Sequence, residues 1–130
     1  MGRRRTFDED EAVTTAAALF RRQGYEATSV DDLVTATGVH RASLYGVFGS
    51  KYGLFRRALD QDLAALSDQA ARGHGGPPQD RLDLTLVALL ELAPSDAAVR
   101  RVVGGALDAA QIPAQDLGNR LIRRAGLPAL

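Results

Sequence analysis

The residues best suited to chemistry lie in one segment, His40 to Phe48. If this segment is helical, Leu44, Val47 and Phe48 share one face at spacings of three and four residues. The residues left for the opposite face are Arg41, Ala42, Ser43, Tyr45 and Gly46. Small residues allow close approach, a guanidinium can donate to guanine in bidentate fashion, and a tyrosine hydroxyl can hold a phosphate. The outward face is therefore suited to lie in the major groove of DNA.

A second short helix is predicted immediately before this segment. Thr28 or Ser29 can cap a helix that begins at Val30, because a side-chain hydroxyl accepts from the free N–H groups of the first turn. Gly38 can then end the helix in a left-handed conformation. Two short helices joined by a turn of this length are typical of a helix-turn-helix. The predicted pair spans about residues 29–36 and 40–47.

Charged residues at the predicted helix starts either suit or oppose the positive end of the helix. Asp31 and Asp32 suit the positive end of the second helix of the chain. Lys51 follows a cap at Ser50 and lies in the first turn of a long helix predicted to run to about Ala71. A lysine is unfavourable at that end unless an anion binds there, so Lys51 predicts a phosphate site.

The first helix is predicted from Asp8 or Glu9 to Gln23. Asp8 can cap it, and Glu11 can complete a capping box. Gly24 ends it, and its apolar face closes the core beneath the two short helices. This apolar face consists of Val13, Ala16, Ala17 and Phe20.

Several short motifs between roughly residues 8 and 60 resemble the TetR family of bacterial transcriptional regulators. They are Thr-Ser-Val-Asp-Asp-Leu, Thr-Gly-Val, Ser-Leu-Tyr, Phe-Gly-Ser-Lys and Gly-Leu-Phe. The resemblance implies an all-α fold in which three N-terminal helices bind operator DNA. It also implies that a C-terminal domain binds a small ligand and forms a homodimer.

Matching motif positions also implies roles for individual residues. The implied base-edge readers are Arg41, Ala42 and Ser43. The implied backbone contacts are Tyr45, Lys51 and Thr28. A base contact is a second implied role for Tyr45, and Thr28 would also cap the second helix. The complete predicted DNA-binding set is Arg3, Arg4, Arg5, Thr28, Ser29, His40, Arg41, Ala42, Ser43, Tyr45, Gly46 and Lys51.

Three residues depart from the family pattern. His40 stands where a serine or another capping residue is usual, Gly46 stands where a bulky or polar groove residue is common, and Val47 replaces a frequent histidine. A mid-helix glycine costs about 1 kcal/mol relative to alanine. We therefore expect a recognition helix that is less rigid than usual.

Charge is balanced, with 16 basic and 16 acidic residues in 130. Residues 1–60 carry nine basic and eight acidic side chains, so DNA binding must depend on where the charges lie. The triplet Arg3, Arg4 and Arg5 is either a solvated tail or an arm that follows DNA along phosphates or into the neighbouring minor groove.

Composition limits the class of protein. The chain has no cysteine, which excludes disulfides and thiol chemistry. Its lack of an 18-residue apolar run and of a signal-like N-terminus predicts a cytoplasmic protein without membrane association. It has two histidines, no metal-spaced cluster and no glycine-rich phosphate loop, so we predict neither an enzyme nor a cofactor.

The C-terminal half is short for the family. A turn-rich linker is predicted at 73–78, so the domains are 1–50, a connecting helix at 51–72, and a helical effector and dimerisation region at 79–130. Its helices are predicted from about Gln79 to Leu92, Asp96 to Ala110 with a cap at Ser95, and Ala114 to Ala125 with an end at Gly126. The dimer interface is either the Leu82–Leu92 face or the stripe of Leu117, Leu121 and Ile122, unless the chain is a truncated regulator.

Two functions compete at this point. The first is a TetR-like transcriptional repressor that binds double-stranded operator DNA as a homodimer and is released by a small apolar effector. The alternative is an all-α interaction or dimerisation module that keeps the helix-turn-helix scaffold without reading sequence. Gly46, Val47 and the near-neutral N-terminal half favour the alternative.

Overall fold

Regular structure in residues 7–71 and 81–128, which this computed structural model describes, is entirely helical. The helices are α1 (Glu9–Gln23), α2 (Val30–Thr37), α3 (Arg41–Phe48), α4 (Lys51–Ala71), α5 (Arg81–Val87), a π-helical segment (Ala88–Leu92), α6 (Ala97–Ala109) and α7 (Ala114–Arg124). The predicted all-α fold is confirmed. Several predicted features lie outside the described residues. They are Arg3, Arg4, Arg5, the predicted linker at 73–78 and the predicted helix start at Gln79.

The chain divides into two compact units, Met1–Ala58 and Leu59–Leu130, with the boundary inside α4. The apolar stripe of α4 is buried on both sides of that boundary. It consists of Leu54, Phe55, Ala58, Leu59, Leu63 and Leu66.

Helix α1 begins and ends where its local sequence predicts, but the expected capping box is incomplete, because only the Asp8 side chain caps the helix. Asp8 Oδ1 accepts hydrogen bonds from the N–H groups of Asp10, at 2.9 Å, and Glu11, at 3.2 Å. Gly24, at φ 91°, ends the helix in a conformation that side chains disfavour. The buried residues of α1 include all four that were expected, and the set is Ala12, Val13, Ala16, Ala17, Leu19 and Phe20.

Three aromatic rings join α1, the α1–α2 turn and α4 in the core of the N-terminal unit. Phe55 meets both Phe20 and Tyr25 edge to face at centroid distances of 5.1 Å. Phe20 stacks on Tyr25 at 6.0 Å. Such pairs stabilise by more than their buried area alone. The cluster therefore fixes α4 against the helix that closes the core.

Ser29, rather than Thr28, caps α2. The Ser29 hydroxyl accepts from the Asp32 N–H at 3.0 Å, and the Asp32 carboxylate accepts from the Ser29 N–H at 3.0 Å, which completes a capping box. Thr28 is completely buried, and its hydroxyl donates to the Gly24 carbonyl at 2.6 Å. The capping role implied for Thr28 is therefore wrong, because its hydroxyl is already engaged by the preceding turn.

Replacing Ser29 with alanine should destabilise the N-terminal unit by roughly 1 kcal/mol, the usual cost of losing an N-cap. Hydrogen bonds from Ser29 hold the pKa of the Asp32 carboxyl below its usual value. A lowered folded-state pKa stabilises above the unfolded value of about 4 and is lost as the pH falls through the folded-state pKa. Urea unfolding at several pH values should therefore show the variant's deficit at pH 7 and a smaller deficit below pH ~4. An equal deficit at all pH values would contradict this account.

In the C-terminal unit, α5 is buried on all sides. Every residue from Leu82 to Val87 is buried, including Asp83 and Thr85. The segment predicted as one helix to Leu92 changes type near its end, because the Ala93 N–H donates to the carbonyl five residues back, at Ala88, at 2.8 Å. The last turns are thus π-helical rather than α-helical.

Helix α6 is capped by Asp96, and the predicted cap at Ser95 is wrong. Asp96 Oδ1 accepts from the N–H groups of Ala98 at 3.0 Å and Val99 at 3.1 Å. Ser95 belongs to the turn that ends the π-helical segment, where its N–H donates to the Leu92 carbonyl at 3.0 Å. The helix consequently begins one residue later than predicted.

Helix α7 has no buried residue and is held by charge. Both Asp83 carboxylate oxygens accept from the Arg120 guanidinium at 2.7 Å, and Arg124 lies 3.5 Å from the same carboxylate. A bidentate pair of this kind is both strong and geometrically specific. It ties α7 to α5, although 37 residues separate Asp83 from Arg120.

The Leu82–Leu92 segment does not offer the apolar face predicted as one of two dimer interfaces. Most of its leucines are buried within the single chain, and Leu90 is the member with large exposure among the described residues. In the other predicted stripe, Leu117 and Ile122 are half-buried and Leu121 is exposed. An α7 surface thus remains accessible.

Candidate nucleic-acid interface

The turn between α2 and α3 is fixed by glycine and by a hydroxyl that sequence reasoning overlooked. Gly38 adopts φ 72°, ψ 11°, the left-handed conformation expected of it. The Thr37 hydroxyl donates to the Leu33 carbonyl at 2.7 Å and accepts from the Val39 N–H at 3.2 Å. The predicted helix-turn-helix is present, and Thr37 stiffens its turn. A threonine directly before the terminating glycine was the available signal.

The two faces of α3 separate as the residue spacing predicts. Leu44 and Phe48 are buried and Val47 is half-buried. The outward residues Arg41, Ala42, Tyr45 and Gly46 are exposed, and Ser43 is half-buried. A Cβ atom added at Gly46 would meet nothing within 4 Å, so the middle of the outward face is open. This surface can approach another molecule closely.

The start of α3 lacks a side-chain cap. His40 occupies the N-cap position, is exposed and makes no capping hydrogen bond. No acidic residue lies in the first turn of α3. The positive end of α3 therefore has neither a side-chain cap nor an acidic residue of its own helix, a setting that favours an anion.

Arg41 pairs with Asp31 across the turn. Its NH2 group donates to Asp31 Oδ1, and the side chains are 50% and 81% exposed, respectively. The role predicted for Asp31 is first-turn electrostatics, which does not include this contact. The separation of ten residues across two helices gives no periodic signal.

Lys51 begins α4 at the predicted position and is half-buried. Its ammonium donates to the Tyr25 carbonyl at 3.1 Å and lies 4.3 Å from the centroid of the Tyr25 ring. Burial, followed by the charge of Glu26, raises the pKa of Tyr25, so the ring remains neutral beside the cation. These contacts orient Lys51 and leave other ammonium donors for a phosphate.

The α3–α4 corner depends on Gly53. The Ser50 hydroxyl accepts from the Gly53 N–H at 3.0 Å, which is the predicted cap. A Cβ atom at Gly53 would lie 1.9 Å from the Phe48 carbonyl oxygen. Only glycine permits this approach, which sets where Lys51 lies relative to the end of α3.

A shallow cleft of about 10 Å³ joins parts of this surface. This volume suits a single water molecule rather than an effector. The cleft brings Tyr45, Ser50 and Lys51 together, above an apolar floor. Its full lining is Val30, Leu33, Leu44, Tyr45, Phe48, Ser50, Lys51 and Leu54.

Some predicted contact residues do not contribute surface here. Thr28 is completely buried, whereas Ser29 is exposed beside the start of α2. No group of three or more potential ligands that could hold a metal ion occurs among residues 7–71 and 81–128. No helix in those ranges is long and apolar enough to span a bilayer.

Comparison with known proteins gives a family for the N-terminal unit. Residues 12–58 match the family described as bacterial regulatory proteins, tetR family. The HTH-type transcriptional repressor ComR of Escherichia coli is 52% identical over 60 residues, covering 46% of this chain and 29% of ComR. The HTH-type transcriptional repressor BdcR of the same organism is 42% identical over 60 residues, covering 46% of this chain and 30% of BdcR. The match thus spans under a third of either repressor.

A solved structure extends the likeness in fold. The TetR family transcriptional regulator PfmR from Thermus thermophilus superposes with a TM-score of 0.62 over 93% of this chain and 75% of its own, at 21% identity. The shared all-α fold therefore reaches beyond the family match. The family comprises regulatory proteins rather than enzymes, as predicted for this domain. From the helix-turn-helix and the family match together, the N-terminal unit of this chain belongs to the tetR family of bacterial regulatory proteins.

Proposed function

We propose that this protein is a transcriptional repressor that binds double-stranded operator DNA through α2 and α3. The observation that carries the proposal is the outward face of α3, where an arginine and a tyrosine flank small residues on the second helix of a helix-turn-helix. The similar proteins ComR and BdcR are named transcriptional repressors, which supports repression.

In this proposal α3 enters the major groove and supplies the contacts that specify sequence. Arg41 donates to the O6 and N7 atoms of a guanine, and Ala42, Ser43 and Gly46 allow the helix to approach the bases. Tyr45 donates its hydroxyl to a phosphate. The exposed side chains of Ser29 and His40 lie at the helix starts, where phosphates would be held.

Further backbone contacts flank this face. Lys51 holds a phosphate at the start of α4, with its ammonium already oriented by Tyr25. The triplet Arg3, Arg4 and Arg5 acts as an arm along the DNA, a proposal that follows from its charge alone. The completely buried Thr28 is not included among the contacts.

The proposal includes a cytoplasmic homodimer. One short recognition helix reads few base pairs, and two-fold pairing doubles the contacts at half-sites spaced by about one helical turn. The exposed Leu121 and the half-buried Leu117 and Ile122 on α7 provide accessible apolar surface for pairing. A small apolar effector would release the DNA only if it binds the free and DNA-bound states with different affinities.

Replacing Arg41 with alanine should weaken binding to operator DNA by about tenfold to a hundredfold, the usual value of one bidentate guanine contact. Fluorescence anisotropy measures this loss. The labelled DNA is the region upstream of the protein's own gene, and binding is compared with scrambled DNA at two salt concentrations. The matched control is Arg101→Ala, which removes an exposed arginine from α6. It should leave selectivity unchanged.

A different result would favour the interaction module. Equal weak binding of both DNAs, unaffected by Arg41→Ala, would mean that the helix-turn-helix does not read sequence. Binding that is selective and falls steeply with salt in the intact protein would support phosphate contacts at the same surface.

A further inference from the structure

If the proposed function holds, the Asp31–Arg41 pair helps to determine which base Arg41 reads. Asp31 is the second residue of α2 and Arg41 is the first residue of α3, so the pair bridges the two helices beside the outward face. Both side chains are at least half exposed. Exposed ion pairs add little to folding stability. The main effect of the contact is therefore on the position of the guanidinium.

Asp31 is free for this role because the capping of α2 uses other groups. Ser29 and Asp32 form the capping box, and the Asp31 carboxylate takes no part in it. Arg41, in turn, occupies the positive end of α3, where a cation is disfavoured and where no acidic residue of α3 compensates it. The Asp31 carboxylate supplies the missing negative charge from the neighbouring helix.

The contact leaves Arg41 able to donate. A guanidinium carries five N–H donors in a fixed plane, and the hydrogen bond to Asp31 Oδ1 engages the NH2 group only. An arginine side chain otherwise loses much rotamer freedom when it is immobilised on a base. Because Asp31 holds one end of the guanidinium before DNA binds, Arg41 loses less rotamer freedom when it binds a base in that orientation.

We propose that Asp31 is a specificity-determining positioning residue, whose carboxylate aims the Arg41 guanidinium at one guanine in each half-site. Its negative charge, exposed beside the DNA-facing surface, also weakens sequence-independent attraction to phosphates. The two effects act together, because the first strengthens binding to the correct site and the second weakens binding elsewhere.

The test begins with selection of preferred sites from a random duplex library by the intact protein. Dissociation constants for the selected site, for its single-base variants and for scrambled DNA are then measured for wild type, Asp31→Asn, Arg41→Ala and the double variant. Asp60→Asn is the control, since it makes the same change in net charge at an exposed position of α4. Thermal unfolding of each variant shows whether it remains folded.

We expect Asp31→Asn to lower the preference for the selected site over scrambled DNA about tenfold. This loss lies within the free energy of one bidentate base contact. The lost preference should fall on the same guanine that Arg41→Ala affects. At that base pair, the double variant should discriminate no worse than Arg41→Ala alone. Asp60→Asn should retain the wild-type preference.

Other outcomes would overturn the inference. Unchanged base preference in Asp31→Asn, or additive losses of base preference in the double variant, would mean that the pair does not position Arg41 for reading. If the wild-type protein selects no sequence, the proposed function fails, and this inference fails with it. Selection by the wild type with no effect of Asp31→Asn would overturn the inference alone.

Discussion

Replacing Asp83 with asparagine is expected to destabilise the C-terminal unit by about 3 kcal/mol, the lower end of the cost of breaking a buried ion pair. Asp83 is 7% exposed and accepts two hydrogen bonds from Arg120, and Arg124 lies nearby. Without the carboxylate, the guanidinium groups of Arg120 and Arg124 lose the countercharge that they share. The lower end applies because both arginines retain some contact with solvent.

Urea unfolding followed by far-ultraviolet circular dichroism measures this effect, with Asp108→Asn as the control at an exposed position of α6. Helix α7 has no buried residue, so its attachment to α5 should be lost first. Adding Arg120→Gln to Asp83→Asn should cost less than the sum of the single changes, because the two residues share one interaction. A cost below about 1 kcal/mol would mean that solvent screens the pair as it does on a surface.

The second large effect is expected at Gly53, where alanine should destabilise the N-terminal unit by about 3 kcal/mol or more. The new Cβ atom would lie 1.9 Å from the Phe48 carbonyl oxygen and 3.1 Å from its carbon. Both are backbone atoms, which cannot rotate away as a side chain does. The end of α3 must therefore move relative to the start of α4, which changes the cleft that Tyr45 and Lys51 both line.

Gly46→Ala is the matched control for Gly53→Ala, because both change a helical glycine within the same unit. Nothing lies within 4 Å of a Cβ atom at Gly46, so alanine should stabilise α3 by about 1 kcal/mol through its higher helix propensity. Chemical denaturation of the two variants should thus give shifts of opposite sign. Equal destabilisation would show that α3 tolerates no added side chain on its outward face.

Local sequence predicted helix ends well where one residue determines the backbone. Gly24, Gly38 and Gly126 all adopt positive φ next to the ends of α1, α2 and α7. The predictions failed where neighbouring polar residues compete for one cap. Thr28 does not cap α2 because it is buried and its hydroxyl donates to the Gly24 carbonyl. Ser95 does not cap α6 because it belongs to the turn that ends the π-helical segment and lies one residue before the N-cap.

Long-range features of the structure had no local signal. The pairing of Asp83 with Arg120 and of Asp31 with Arg41 depends on how separate helices pack, which periodicity within one helix does not encode. The change to π-helical hydrogen bonding after Ala88 is likewise set by packing around an apolar segment. For the candidate site, residue spacing therefore predicted which side chains face outward, but not which neighbours hold them.

The aromatic cluster of Phe20, Tyr25 and Phe55 also determines how this protein can be observed. All three tyrosines and all four phenylalanines lie within Met1–Ala58, and the chain has no tryptophan, so Leu59–Leu130 contains no aromatic chromophore. Tyrosine emission and near-ultraviolet dichroism consequently report on the N-terminal unit alone, whereas peptide absorption reports on both. The two units can therefore be followed separately in one unlabelled sample, and a lag between the two signals would measure how strongly their unfolding is coupled.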